Sequence, residues 1–392
     1  MHVYLDHNAT TPLHPDVLAA MTPFFSERFG NPNSTHTWGR EARQALDAAR
    51  ETIARALGAQ ERDCIVFTGS GSEADNLALQ GLLGTDPDRP KHCIVSAVEH
   101  HAVLRTVDHL ERRGCAVTRL AVDQQGLLDP DDVRRAIRPD TALVSIMHSN
   151  NETGVLLPIP EIARICRERG VPLHTDAIQS FGKVPLDVTA WGVDLLSISG
   201  HKLYGPKGVG ALYIRPGTKM VPLIHGGSQE RSRRAGTENV ANIVGLARAA
   251  ELTQIGMEAE GRRLGSLRDG LEQGLTATMS GVLRNGHPEM RLPHVSNLAF
   301  SGVEAESLIL TLDLHGIAAS AGAACSSGSV QLSHVLVAMG LSPDRVRSSV
   351  RFSLGRGTTT EAIDYVLETL PPIAARIRRA RDVRVADSGK RV

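Results

Sequence analysis

Lysine is scarce in this chain: of 43 basic residues only six are lysine, at 91, 183, 202, 207, 219 and 390, and the rest are arginine. Cysteine is scarce too, with five residues at 64, 93, 115, 166 and 325 and no C-x-x-C pair. That spacing excludes a zinc knuckle or a disulfide framework, predicts no metal site, and fits a reducing compartment. Net charge is absent, since 43 basic residues balance 43 acidic ones. Nothing global therefore favours direct nucleic-acid binding or an anionic membrane surface. Only the tail from Arg376 to Arg384 is locally basic, and a solvated helix end accounts for it. The start, M-H-V-Y-L-D-H-N-A-T-T-P, lacks the apolar core of a signal peptide. No apolar run approaches the ~20 residues needed to span a bilayer. Internal repeats and low-complexity tracts are missing as well. These absences predict a soluble cytoplasmic protein.

What is present is ample apolar content, 41% of 392 residues, enough for a large core and two or three domains. Helical periodicity begins near Thr37 and runs to about Leu57. Seven strand-like runs follow: Cys64–Thr68, Cys93–Val98, Ala116–Leu120, Ala142–Met147, Pro172–Thr175, Val193–Ser199 and Val209–Ile214. Helical patterns separate the earlier ones, at about Ser72–Leu83, His101–Arg113, Asp131–Ile137 and Pro160–Arg169. Strands alternating with helices predict an α/β fold with a mostly parallel sheet covered on both faces. A glycine-rich segment, Gly226 to Thr237, leads into a long helical stretch predicted over Val240–Met279. The character shifts near residue 255, which places a smaller α/β domain there. It contains Val295–Phe300, helices near Glu304–Leu314 and Gln331–Met339, Val350–Leu354 and a last helix from Thr360.

Ligands of open α/β sheets bind beyond the carboxyl ends of the strands, so the polar clusters at those ends carry the chemistry. The most telling is S-I-S-G-H-K-L-Y-G-P-K-G-V-G, Ser197 to Gly210. Lys202 directly follows an apolar strand and a Ser-Gly-His turn, where partial desolvation favours the neutral amine and Schiff-base chemistry. T-G-S-G-S-E-A-D-N, Thr68 to Asn76, reads as an anion cradle: glycine at 71 admits a close backbone approach, and a helix N-terminus follows. Two other readings compete there. Ser72 fits an ordinary N-cap. Gly69, Gly71 and Ala74 fit a dinucleotide fingerprint with Glu99 as the ribose contact, about 25 residues on where ~20 is expected.

His100, beside Glu99 and His101, can stack on a flat ring or move a proton near neutral pH. H-S-N-N-E-T-G, His148 to Gly154, precedes L-H-T-D-A-I-Q-S, Leu173 to Ser180. Asp176 ends an apolar strand, where a carboxylate is costly unless paired with a cation such as a protonated pyridine nitrogen; the alternative is a helix N-cap. In S-A-G-A-A-C-S-S-G-S, Ser320 to Ser329, Cys325 sits among small residues and reads as an exposed nucleophile on a mobile loop. The other four cysteines lie in strand or helix patterns and read as core. Arg351 is a candidate bidentate carboxylate clamp.

A Schiff-base lysine, a pyridine-facing aspartate, a phosphate cradle, a stacking histidine and an arginine clamp describe pyridoxal 5'-phosphate (PLP) bound to an amino acid. The chain resembles the cysteine desulfurases of the NifS/IscS group, in the aminotransferase-like fold type I family of PLP enzymes. The resemblance runs from Tyr4–Pro12 to R-F-S-L-G-R at Arg351–Arg356, with S-G-H-K-x-Y-G-P-K-G-x-G, H-x-N-N-E-x-G and R-R-A-G-T-E-N the most specific motifs. It implies a seven-stranded large domain over 16–254 and a small domain of 1–15 with 255–392, carrying the cysteine loop at about 320–330. It further implies that Lys202 holds PLP, Asp176 pairs with the pyridinium, His100 stacks and moves protons, and Gln179 bonds the ring hydroxyl oxygen. Gly71, Ser72, Ser199 and His201 would hold the phosphate, joined across a homodimer interface by Thr237. Asn151 and Arg351 would bind the carboxylate of L-cysteine, and Cys325 would take the sulfur as a persulfide, releasing alanine. An acceptor protein for iron–sulfur assembly or nucleic-acid thiolation would receive it. Two departures stand out: Gly69-Ser70-Gly71-Ser72-Glu73 replaces the usual S-G-[AGS]-T-E, and Ala321 and Ala323 replace two loop serines. A selenocysteine lyase or another fold type I enzyme, a nicotinamide-dependent dehydrogenase and a non-catalytic scaffold are the competing readings.

Overall fold

The computed structural model describes residues 1–84, 91–321 and 332–388. Twelve strands are defined among them: β1 (Val3–Tyr4), β2 (Ile65–Thr68), β3 (His92–Ser96), β4 (Ala116–Leu120), β5 (Thr141–Ser145), β6 (Leu173–Asp176), β7 (Leu195–Ser199), β8 (Gly210–Ile214), β9 (Val282–Asn285), β10 (Val295–Phe300), β11 (Ile317–Ala318) and β12 (Ser349–Ser353). Seven of them form one sheet in the order β2-β8-β7-β6-β5-β3-β4. Only β8 runs against its neighbours; the pairs from β7 through β4 are parallel. Strands β3, β6 and β7 are buried along their whole length, because helices cover both faces of the sheet. Edge strand β4 is only partly buried.

The expected helices are present at Thr37–Ala56, Gly71–Leu83, His101–Glu111, Pro130–Ala136 and Ile159–Glu168. The long helix expected over Val240–Met279 is two helices, Val240–Gln254 and Met257–Thr278. Gly256 between them adopts φ 74°, a left-handed conformation that glycine tolerates and that interrupts the helical ladder.

Two main hydrophobic clusters organise the rest. One, built from residues such as Ile53, Phe67, Ile146, Leu196 and Leu246, lies under the helices against the seven-stranded sheet. Val335, Leu336, Met339 and Val346 also join it. The other holds Leu5, Leu271, Phe300, Leu308, Phe352 and Leu370, around the antiparallel sheet β12-β10-β9. The amino-terminal segment belongs to this second cluster: β1 pairs in parallel with β11, and Asp6 bridges to Ser353. Among the described residues, no helix is long and apolar enough to cross a membrane.

Candidate active site

The seven-stranded sheet brings the ends of β2, β3, β6 and β7 to one cavity of about 410 Å³. That volume lies within the roughly 300–1,000 Å³ of small-molecule sites. Gly71, Ser72, His100, Asn151, Asp176, Gln179, Ser199, His201, Lys202 and Arg351 all line it. A shallower groove of about 530 Å³, between Lys91, Asp194 and Arg215, lies at the opposite end of the parallel strands, away from this chemistry.

One wall is the turn from β2 into helix Gly71–Leu83. Ser70, not Ser72, is its N-cap: the Ser70 hydroxyl accepts the Glu73 N–H at 3.1 Å. Ser72 therefore stands free and exposed in the first helical turn. A Cβ on Gly71 would come within 2.4 Å of Ile178 Cδ1 and 3.0 Å of Ser199 Cβ, so a side chain there would have to displace Ile178. The first N–H groups of a helix have no intrahelical acceptor, and here Gly71 and Ser72 of that turn line the cavity. Glu73 braces the turn by accepting the Gly69 N–H at 2.8 Å and Arg234 Nε at 2.8 Å.

The dinucleotide reading fails on this geometry. In the sheet order β3 stands five places from β2, so the two do not form the adjacent pair that such a site needs. Glu99 is wholly buried and is taken up by Ser96 Oγ at 2.6 Å and Met147 N–H at 2.8 Å. Burial pushes its carboxyl up to about 8, which keeps it neutral and structural at pH 7.

His100 caps helix His101–Glu111, its Nδ1 accepting the Ala102 N–H at 3.1 Å. The ring proton must then sit on Nε2. Burial, with the cations of Lys202, His101 and His334, lowers its pKa to about 4, so the ring is neutral at physiological pH. Asp176 Oδ1 accepts the Ile178 N–H at 2.8 Å. The chain continues there as turns, so Asp176 caps no helix. Burial raises its pKa to about 6, against the opposing pull of that N–H and of Lys202. A cation against it would relieve that cost.

Behind Asp176 lies a buried polar layer that the sequence did not disclose. His174 bonds Ser145 Oγ at 2.8 Å and Ser197 Oγ at 2.9 Å, and its Nε2 lies 3.7 Å from Asp75 Oδ1. Asp75 is fully buried and its carboxyl is held well above the usual range by burial first, then by Asp176.

Lys202 follows β7 in a single 3-10 turn, Gly200–Lys202. Its Nζ donates to the Asn8 carbonyl at 2.5 Å and the Ala9 carbonyl at 2.9 Å. Burial and the nearby Arg351 cation lower its pKa to about 8, while Asp176 and Asp6 oppose the shift. His201 bonds Thr10 Oγ1 at 3.1 Å and is held to about 4 by burial and neighbouring lysines. Arg351 donates to the Asn151 carbonyl at 2.9 Å and to Asp6 Oδ1 at 2.7 Å. Its Nε and the Ser149 hydroxyl are buried at the cavity without a hydrogen-bond partner among the described residues.

Asn8 is the hub that sequence reasoning missed. Its N–H donates to Ser353 Oγ, its Nδ2 to the Asn151 carbonyl, and its Oδ1 meets His294 Nε2, at 2.9, 3.0 and 2.9 Å. Its carbonyl also accepts from Gln179 Nε2 at 2.9 Å. Thr237 is exposed and does not line this cavity. Cys325 lies outside the described residues. Cys64, Cys93 and Cys166 are buried as expected, but Cys115 is only half-buried.

This arrangement of sheet, cradle and buried lysine is that of a family: the chain belongs to aminotransferase class V, whose model matches residues 3–366. That span contains every described residue of the cavity. Within the family its likeness is to cysteine desulfurases, as the motifs indicated. It is 50% identical over 376 residues to the cysteine desulfurase IscS of Dictyoglomus turgidum, covering 96% of this chain and 95% of that one. A solved NifS-like protein matches with a TM-score of 0.90 at 36% identity, over 96% of this chain and 100% of that one. SspA in complex with cysteine matches with a TM-score of 0.78 at 37% identity, over 90% of this chain and 98% of that one.

Proposed function

We propose that the chain is a PLP-dependent cysteine desulfurase, converting L-cysteine to L-alanine and passing the sulfur to Cys325 as a persulfide. The observation that carries this reading is Lys202, a half-buried amine whose pKa is lowered to about 8, in a cavity that also holds the buried carboxylate of Asp176 and a helix N-terminus. The residues fit the cofactor. Gly71 and Ser72 open a helix at the cavity, where free N–H groups suit a phosphate, with Ser199 and His201 beside them. Burial raises the Asp176 pKa to about 6, a cost that a pyridinium against it would relieve, which supports that pairing. When bound, PLP supplies an electron sink for the substrate's α-carbon.

The chain's own groups do the remainder. Lys202 would hold the cofactor through its amine, and as a free amine it could take up a proton. Neutral His100 would lie against the ring and offer Nε2–H as a proton donor. Asn151 and Arg351 orient the substrate carboxylate, and the unpaired Arg351 Nε gives it a donor. Cys325 Sγ attacks the substrate sulfur: an S–S bond forms, the C–S bond breaks, and its electron pair stays with the carbon that becomes alanine. Gln179, which lines the cavity, would meet the ring oxygen.

In this reading the molecule works as a cytoplasmic homodimer, and Thr237 of the partner subunit completes the phosphate site. The second cluster and the break at Gly256 support a large domain of 16–254 and a small one of 1–15 with 255–392, with Val335, Leu336, Met339 and Val346 of the latter packing onto the large sheet's cluster. The persulfide passes to an acceptor protein of iron–sulfur assembly or nucleic-acid thiolation. Borohydride reduction of the purified yellow protein, followed by peptide mass spectrometry, should place the adduct on Lys202. An unmodified Lys202 in fully active protein overturns the reading. Retained alanine formation in Cys325→Ala would instead favour a selenocysteine lyase or another fold type I enzyme.

A further inference from the structure

Among the described residues, Lys183 is the other lysine half-buried beside the cavity, and the chemistry above does not use it. It lies four residues after Gln179 and donates from Nζ to Gln179 Oε1 at 3.2 Å. The other end of the same amide, Nε2, donates to the Asn8 carbonyl at 2.9 Å, and that carbonyl also receives Lys202 Nζ. A primary amide has two unlike ends, an acceptor oxygen and a nitrogen with two N–H donors. An ammonium only donates and a carbonyl only accepts, so the two neighbours agree on one orientation. Turning the amide over would set two donors against each other at Lys183 and two acceptors at Asn8.

Gln179 lines the cavity, so its second N–H remains for a ligand. We infer that Lys183 is a positioning residue: it locks the amide of Gln179 so that the cavity offers a donor, and selects a cofactor whose ring bears a deprotonated oxygen. This rests on the reading that Gln179 meets the ring oxygen of PLP. Burial and the cations of Lys202 and Arg351 lower the Lys183 pKa to about 7; the ammonium form, which has no lone pair to offer, is the one that enforces this orientation. Because burial opposes the charge, an unbranched apolar side chain of similar length is tolerated sterically and electrostatically.

The test uses cofactor-free full-length protein and compares equilibrium binding of pyridoxal 5'-phosphate with its 3-O-methyl ether, which cannot present an anionic oxygen. Wild-type protein should prefer the parent compound. In Lys183→Met the preference should fall about tenfold or more, the worth of a hydrogen bond to a charged group, while affinity for the ether changes little. Lys183→Arg, which keeps a donor, should restore part of it. Equal weakening of both ligands marks a merely structural role and overturns the inference. Gln179→Ala separates the two levels: if it leaves the preference intact, Gln179 does not meet the ring oxygen, and the underlying placement fails. If it abolishes the preference while Lys183→Met does not, only the role of Lys183 fails. Should Lys183→Met not fold, a neutron structure of the wild type decides, since deuterons on the Gln179 atom facing Lys183 are incompatible with the proposal.

Discussion

The reactivity of Lys202 can be altered without touching it. A lysine with its ordinary pKa of 10.5 has roughly one free amine in 3,000 at pH 7, whereas a pKa of about 8 leaves roughly one in ten. The environment therefore raises the reactive fraction on the order of 300-fold. Burial is the largest cause, and the Arg351 cation is the next. Replacing Arg351 by Met removes that repulsion and leaves Asp176 and Asp6, which pull the other way, unopposed. A nearby charge moves a pKa by about one unit or more, so the midpoint should rise to about 9 and the free amine at pH 7 should fall about tenfold. The assay is stopped-flow growth of the visible band when saturating PLP is mixed with cofactor-free protein between pH 6.5 and 9.5, with thermal melts to confirm folding. A midpoint that stays at about 8, or falls, refutes the electrostatic account of this lysine.

Lys202→Met in cofactor-free protein should be more stable than wild type by up to about 3 kcal/mol at pH 7. The lysine's folded pKa lies below its unfolded one, so its penalty is fully present below pH 8 and is lost as pH rises to about 10.5. Urea melts across that window should show the gap closing. Glu230→Gln should cost about 3–5 kcal/mol, because it strands Arg50, whose guanidinium pairs with Glu230 in the interior at 2.6 and 2.7 Å; denaturant midpoints measure it. Gly71→Ala should weaken PLP binding and destabilise by about 1–3 kcal/mol, given the 2.4 Å approach to Ile178, and equal affinity would remove the cradle argument. His100 should titrate near pH 4 by NMR, leaving the acid limb of the rate profile without a pKa of 6.5 from this residue.

The large sheet was legible because most of its strands carry apolar residues bounded by turn residues, although β6 is Leu-His-Thr-Asp; β4, and β10 of the smaller sheet, match their expected bounds to the residue. The strand-end rule then located the lysine, the aspartate and the cradle. What escaped depends on contacts distant in sequence. Asn8 and Asp6 sit in a stretch without periodicity, and their roles exist only through Ser353, Asn151 and Arg351. Strands β1 and β11, two residues each, are too short to show alternation. Ser70 and Ser72 offer the same hydroxyl two positions apart, and only backbone geometry decides which one caps. Gln179 was recognised but Lys183 was passed over, since a lysine in a turn carries no signal of burial.

The fastening of Asp6 and Asn8 to Arg351 and Ser353 has a consequence for folding. Each contact closes a loop of 345 residues, the kind of long-range pairing that is slow to form. The large sheet is built from strands between Ile65 and Ile214 and does not depend on that closure. A refolding chain can therefore hold its large sheet while the carbonyls that receive Lys202 are still unanchored.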